Sequence, residues 1–214
     1  MDLFGLTLNR VAARIDQHGK APAVPGLGLS LLVGSLGFCL SSLVVFATVA
    51  YAERWMYRNL GLTGAYLVWI ILFILLGGAI LSPLVIGPDK WWRFQLLFGA
   101  AFLLYSIGWT ASYFGLPRAS GAWVGSLAGS VLMALVIAVA FGSARTVFAL
   151  TAMLFIANSA GYFLGESFAY SIRGKTGMML WGTLYGLGLG AGLGASLFVV
   201  QAPIRNYLSK RTPQ

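Results

Sequence analysis

Six long apolar runs follow one another along the chain, and short stretches rich in charged residues, proline or tryptophan separate them. The runs cover residues 27–52, 61–86, 94–116, 122–142, 147–172 and 177–201. About 20 apolar residues in a helix cross the hydrocarbon core of a bilayer. The pattern predicts an all-α, polytopic integral membrane protein with six transmembrane helices. We therefore expect an amphipathic interfacial segment at 1–24, a six-span membrane domain at 25–202 and a basic cytoplasmic tail at 203–214.

The N-terminal segment has apolar residues on one helical face only. These are Phe4, Leu8, Val11 and Ile15. The periodicity is typical of an amphipathic helix. Two locations suit it equally. It could lie in the membrane interface with Arg10 and Arg14 near lipid headgroups, or it could pack on the cytoplasmic side of the protein itself.

Small residues form stripes on the last two runs. On run six, Gly182, Gly186, Gly190 and Gly194 recur every four residues, and on run five Ala157, Gly161 and Gly165 share a face. Such glycine-zipper stripes let membrane helices approach closely. The short connection at residues 173–175 makes the two helices antiparallel neighbours. We therefore predict that the two stripes pack against each other.

Run five also carries a polar face, which is the candidate site for transport. It comprises Ser159, Tyr162, Glu166, Tyr170 and Arg173, with Asn158 close by. Glu166 is the only acid inside a predicted span, and ionisable groups at such positions are commonly functional. The favoured interpretation of Glu166 itself is structural, with its carboxylate turned outward to the interface or paired with Arg173, Arg118 or Arg54.

Composition agrees with a surface in contact with lipid, since 59% of residues are hydrophobic, 9% are charged and the mean hydropathy is +0.85. The net charge of +9 lies in short connections and tails, which indicates contact with anionic headgroups rather than nucleic acid. Lys90, Trp91, Trp92 and Arg93 form a further predicted headgroup set.

The distribution of lysine and arginine predicts the orientation of the chain. With six spans, nine basic residues share a side with the termini and five lie on the other side. The positive-inside rule then places both termini in the cytoplasm. We expect this membrane to be a bacterial inner membrane.

Candidate chemistry is sparse. His18 is the only histidine and Cys39 the only cysteine, so we predict no metal site, no cofactor and no catalytic residue. Tyr105, Trp109 and Tyr113 in run three could line a pocket for an apolar or lipid-like ligand, although core packing is the favoured interpretation of these residues.

Three function classes follow from these features. The favoured one is a non-catalytic membrane subunit or scaffold that acts through close helix packing, as a homo-oligomer or within a larger complex. The alternative is a small-solute, ion or proton-coupled transporter or channel that uses the polar face around Glu166. A match between residues 33–36 and 124–127, both Val-Gly-Ser-Leu, would suit an inverted repeat of the kind found in transporters. A lipid-modifying enzyme is a minor third class.

Overall fold

The computed structural model describes residues 4–19 and 22–211, except for the side chains of residues 118 and 119. The described chain is helical and contains no strand. Its α-helices are α1 Leu8–His18, α2 Leu27–Leu32, α3 Phe38–Leu81, α4 Lys90–Gly115, α5 Arg118–Ala140, α6 Val147–Ile172, α7 Gly174–Val200 and α8 Ala202–Arg211. A π-helical turn, Val33–Gly37, joins α2 to α3, and short 3-10 turns occur at Ser82–Leu84 and Ala144–Thr146.

Five helical segments within the described residues are long and apolar enough to cross a membrane. They are Leu27–Leu84, Lys90–Gly115, Ser120–Ala140, Ala144–Ile172 and Gly174–Val200. The all-helical, multi-pass architecture predicted from the apolar runs is confirmed at this level. The first two predicted runs form one continuous segment of 58 residues.

That long segment reverses direction at Gly61. The backbone there has φ 67° and ψ 179°, a region that only glycine occupies readily. The helical stretches before and after Gly61 then pack against each other in antiparallel orientation. Phe38 stacks on Phe73 with ring centroids 5.5 Å apart, and the indole of Trp69 donates to the Thr48 hydroxyl over 3.0 Å. We call residues 38–60 the first arm of α3 and residues 62–81 the second arm.

Residues 53–60 are helical, whereas the sequence predicted a short loop there. No glycine or proline occurs between residues 53 and 60, so nothing interrupts the helix before Gly61. A single residue with positive φ is enough to turn the chain. The predicted basic tail is likewise helical, since α8 extends to Arg211, and residues 212–214 lie outside the described part.

α7 lies at the centre of the bundle, and the predicted pairing of its glycine stripe is wrong. Gly182, Gly186, Gly190 and Gly194 face α2, the π-helical turn and the first arm of α3, not α6. A Cβ built on Gly190 would lie 2.9 Å from the Gly34 carbonyl carbon, and one on Gly186 would lie 2.7 Å from the Cys39 Cα.

α6 does pack against α7, as the short connection between them predicted, but it uses the opposite side of α7. A Cβ on Gly161 would lie 3.1 Å from the Gly188 Cα, and one on Gly192 would lie 3.1 Å from the Ala157 Cβ. Residues two apart on a helix point about 200° apart. Gly188 and Gly192 therefore form a second stripe opposite the first, and this second stripe receives Ala157 and Gly161. Gly165 contacts Trp181 on the same side.

The N-terminal segment packs on one end of the bundle. Val11 and Ile15 of α1 are buried, and a Cβ on Gly87 would lie 3.0 Å from a Val11 methyl group. The Asp16 carboxylate forms an ion pair with Arg211 of α8. The apolar face of α1 is thus covered by the protein, in agreement with the second of the two predicted locations.

At the same end of the bundle, the buried side chain of Gln201, which is 2% exposed, links two helical segments by hydrogen bonds. Its amide nitrogen donates to the carbonyls of Leu84, over 3.0 Å, and Leu197, over 2.8 Å, and its oxygen accepts the Ile86 N–H over 2.7 Å. This side chain connects the end of α7 to the turn that precedes α4.

Candidate functional site: an aromatic cavity within the helices

A cavity of about 310 Å³ lies between the two arms of α3, α4, α6 and α7. Twelve of its nineteen lining residues are aromatic, namely Phe46, Tyr57, Tyr66, Trp69, Phe73, Phe102, Tyr105, Trp109, Tyr113, Tyr162, Trp181 and Tyr185. The remaining residues are mostly aliphatic, with the hydroxyls of Ser106 and Thr110 among them. A concave, largely apolar site with a few polar groups is the usual form of a small-molecule site.

Helical spacing explains why these rings converge. On α4 the lining aromatics follow an i, i+3, i+7, i+11 pattern, as Phe102, Tyr105, Trp109 and Tyr113. The second arm of α3 repeats this spacing at Tyr66, Trp69 and Phe73, and α7 repeats it at Met178, Trp181 and Tyr185. Residues at these intervals share one helical face. Each helix therefore presents one row of rings to the cavity.

A chain of buried hydrogen bonds begins at Tyr105, one of the lining residues, and continues into the helices behind it. The Tyr105 hydroxyl donates to the Asn158 oxygen over 3.0 Å, and the Asn158 amide donates to the Ser126 hydroxyl over 2.8 Å. Ser126 and Ser159 share a hydrogen bond of 2.7 Å. The network joins α4, α5 and α6 and holds the ring of Tyr105 in place. Asn158 and Ser159 of the predicted polar face thus serve this network.

Among the described residues, Glu53 is the one charged side chain that lines the cavity. This side chain is half-buried on the first arm of α3, one helical turn before Tyr57. Its carboxylate lies close to the hydroxyls of Tyr57 and Tyr66. Within the described part of the chain, no basic group comes within 4.0 Å of it.

The side chains of the predicted polar face of α6 lie in different environments. Tyr162 lines the aromatic cavity. Glu166 and Tyr170 line a separate cavity of about 180 Å³, with Trp181 and Met178 forming a wall common to both cavities. Arg173 is exposed. The structure does not bring these side chains together as one site.

The predicted ion pair of Glu166 is not formed with Arg173 or Arg54. Among the described side chains, no basic group lies within 4.0 Å of its carboxylate. The side chain of Arg118, the third proposed partner, lies outside the described part. Glu166 is half-buried at the edge of the smaller cavity.

The predicted headgroup residues lie near the end of the bundle that carries α1. Trp91 and Trp92 are 55% and 70% exposed, and Arg10 is exposed. Arg14 donates to the Gly5 carbonyl and Arg93 to the Phe4 carbonyl. Lys90 donates to the Pro83 carbonyl over 3.1 Å. Two of the arginines therefore hold the segment that precedes α1.

Sequence reasoning identified Tyr105, Trp109 and Tyr113 as a possible pocket wall and missed Glu53. The predicted loop at residues 53–60 removed Glu53 from consideration. The aromatic spacing of Tyr66, Trp69 and Phe73 was the available signal that a second helix faces the same cavity. No group of three or more metal-ligating side chains occurs among the described residues.

A cavity with this lining can bind an apolar or aromatic molecule by dispersion, and the faces of tyrosine and tryptophan rings attract cations. Comparison with protein-family models, with curated proteins and with solved structures finds no match to this chain. The geometry of the cavity is therefore the basis for a functional assignment.

Proposed function

We propose that this protein is a small-solute transporter that binds its substrate in the aromatic cavity. The observation that carries the proposal is the cavity itself, about 310 Å³ in volume and walled by four helical elements of a membrane bundle. The cavity is partly open, so a small molecule can reach the twelve aromatic rings that line it, and a concave, largely apolar site of this kind is the usual form of a ligand site. We therefore assign the substrate site to the aromatic cavity and not to the polar face around Glu166, which was the site expected for a transporter from the sequence.

The proposal differs from the scaffold function that the glycine stripes favoured. Those stripes are occupied within the chain, since Gly186 and Gly190 contact the first arm of α3 and the π-helical turn while Gly188 contacts α6. A stripe that is already packed internally is not free to bind another subunit. The main sequence argument for a scaffold therefore loses its support.

Six crossings and cytoplasmic termini are part of the same proposal. The antiparallel arms of α3 would make two crossings, and α4, α5, α6 and α7 one each. α1 and α8 would then lie together at the cytoplasmic face of a bacterial inner membrane, where Arg10 and Lys210 could contact anionic headgroups. A homo-oligomer remains compatible with this arrangement.

The contacts of the two Val-Gly-Ser-Leu segments also support a transporter. Gly34, in the first segment, contacts α7, and Gly125, in the second, contacts α4. The first helix of each half therefore packs on the last helix of the other half, an arrangement compatible with an inverted repeat. The local backbones differ, because residues 33–37 are π-helical and residues 124–127 lie in regular α-helix.

Blocking the cavity tests the proposal. Thr110→Trp places an indole in the cavity from α4, and Ile107→Trp adds the same group to the exposed face of the same helix. Two probes are suitable, (3-hydroxyphenyl)trimethylammonium and its neutral isostere 3-tert-butylphenol. Binding is measured by equilibrium dialysis of protein in lipid nanodiscs against empty nanodiscs, and uptake is measured in proteoliposomes.

We expect Thr110→Trp to weaken binding of at least one probe tenfold or more and to abolish its uptake. Ile107→Trp should leave both quantities within twofold of the wild type. Equal behaviour of the two variants, with both folded by size-exclusion chromatography, would show that the cavity is not the binding site and would refute the proposed function.

A further inference from the structure

We infer that the aromatic cavity selects an organic cation, such as a substituted ammonium ion, with Glu53 as its counter-charge. The inference rests on the proposed function and adds the substrate class to it. It was not accessible from the sequence pattern, because Glu53 lies next to Arg54 in a stretch that resembles an ordinary charged loop.

Glu53 carries a negative charge that no basic group among the described residues balances. The chain has 14 basic and 5 acidic residues, so a carboxylate could easily have found a basic partner. The described basic groups at this end are directed elsewhere. Arg54 and Arg58 are exposed, and the Lys175 ammonium group lies over the Tyr51 ring, 4.3 Å from its centroid. The hydroxyls of Tyr57 and Tyr66 lie close to this carboxylate but carry no positive charge. A half-buried carboxylate without a basic partner loses hydration free energy, and a bound cation would compensate that loss.

Three aromatic rings lie close together beside Glu53. The Trp69 ring centroid lies 5.3 Å from that of Tyr66 and 6.1 Å from that of Tyr57. All three rings line the cavity. Ring faces of tryptophan and tyrosine attract a cation within about 6 Å of the centroid, and the attraction grows when the ion is desolvated. Rings and carboxylate together provide complementary potential and apolar contact for the same ligand.

The lining of the cavity does not suit a calcium or magnesium ion. Calcium takes six to eight oxygen ligands, and magnesium needs near-ideal octahedral geometry. The cavity lining offers one carboxylate and a few hydroxyl groups among aromatic and aliphatic side chains. Its volume of about 310 Å³ is also far larger than a bare ion requires. An ammonium group that carries apolar substituents fits both the charge and the walls.

The test compares the cation with its neutral isostere. (3-Hydroxyphenyl)trimethylammonium and 3-tert-butylphenol have the same shape and differ in charge. In the wild-type protein, corrected against empty nanodiscs, we expect the cation to bind at least tenfold more tightly. Glu53→Gln should remove this preference while changing the affinity for 3-tert-butylphenol by less than threefold.

Two further variants test which carboxylate is responsible for the preference for the cation. Asp89→Asn makes the same change of charge in an exposed turn outside the cavity and should keep the preference for the cation. Glu166→Gln alters the acid of the smaller cavity and should also keep it. Loss of the preference in Glu166→Gln, with Glu53→Gln unchanged, would overturn the assignment of Glu53.

The failure of this inference is distinguishable from failure of the proposed function. If both probes bind the wild type equally and Thr110→Trp blocks them, the cavity is a solute site without charge selection, and only the organic-cation inference falls. If Thr110→Trp blocks neither probe, the proposed function falls as well. The wild-type comparison decides the question even if Glu53→Gln does not fold.

Discussion

Replacing Gly190 by alanine tests the contact on which the bundle is centred. The added methyl group would meet the carbonyl oxygen of Gly34, and it would lie 2.9 Å from the Gly34 carbonyl carbon and from the Phe38 Cβ. Two of these three atoms belong to backbone, which cannot rotate out of the way. α7 and the helix that carries Gly34 must therefore move apart.

The size of the effect follows from that separation. A gap of about 0.5–1 Å removes a quarter to a half of the dispersion attraction between facing atoms, and overpacking of a core costs about 1–3 kcal/mol. Alanine offsets part of this loss through its helix propensity, by about 1 kcal/mol at most. Gly28→Ala is the matched control, because Gly28 is also helical and no atom lies within 4 Å of its added methyl group. The two variants share the propensity gain, so their difference isolates the contact.

We expect the melting temperature of Gly190→Ala to fall below that of Gly28→Ala by about 2–12 °C, at about 2–4 °C per kcal/mol for a chain of this size. Melting is followed by the loss of the monodisperse peak in size-exclusion chromatography after heating. Labelling of Cys39, which is 7% exposed, by a thiol-reactive dye gives a second readout. Melting temperatures equal within 1 °C would mean that α7 does not contact the π-helical turn in the folded protein.

Three further outcomes are expected, two from the same melting assay and one from hydrogen exchange. Gly61→Ala should lower the free energy of unfolding by about 1–3 kcal/mol, because φ 67° with ψ 179° is strained for any residue with a Cβ. An unchanged melting temperature would contradict the sharp reversal of α3. Asn158→Ala should cost about 1–3 kcal/mol, because it leaves the buried hydroxyls of Tyr105 and Ser126 without their amide partner; an effect no larger than that of Gly28→Ala would mean that the network is not formed. Gln201→Ala should speed amide exchange at Ile86 in hydrogen-exchange mass spectrometry, since that N–H loses its acceptor, and unchanged exchange would show that another group holds this turn.

Apolar run length alone was sufficient to predict the helical, multi-pass class, because the cost of exposing backbone polar groups to lipid leaves few alternatives. The partner of each stripe was not predictable in the same way. Gly186 and Gly188 both suit a close helix contact, and nothing in the sequence states which neighbour each one meets. The error arose from assigning a single small-residue face to a helix that has two.

The lining of the cavity was likewise predictable from the sequence only in part. The spacing of Tyr105, Trp109 and Tyr113 indicated one wall. The position of Glu53 depended on where the chain reverses, because a helix that continues to Gly61 places this carboxylate on the cavity side of the first arm, one turn before Tyr57. Local sequence patterns define the face of each helix, whereas the reversal point is decided by a single backbone conformation.

The two glycine faces of α7 have a mechanical consequence. Interlocked side chains resist displacement along a helix axis, while at Gly34, Gly161, Gly188 and Gly190 backbone meets backbone without interlocked side chains on either side of α7. We expect such a helix to slide with little change in side-chain rotamers, as in shear motions of packed helices. Spin labels at Arg58 and Thr176 would report the movement as a change in their distance, and a single fixed distance with and without ligand would contradict it. A slide of one residue, about 1.5 Å, would carry Met178, Trp181 and Tyr185 past the rings of α3 and so alter the shape of the cavity between them.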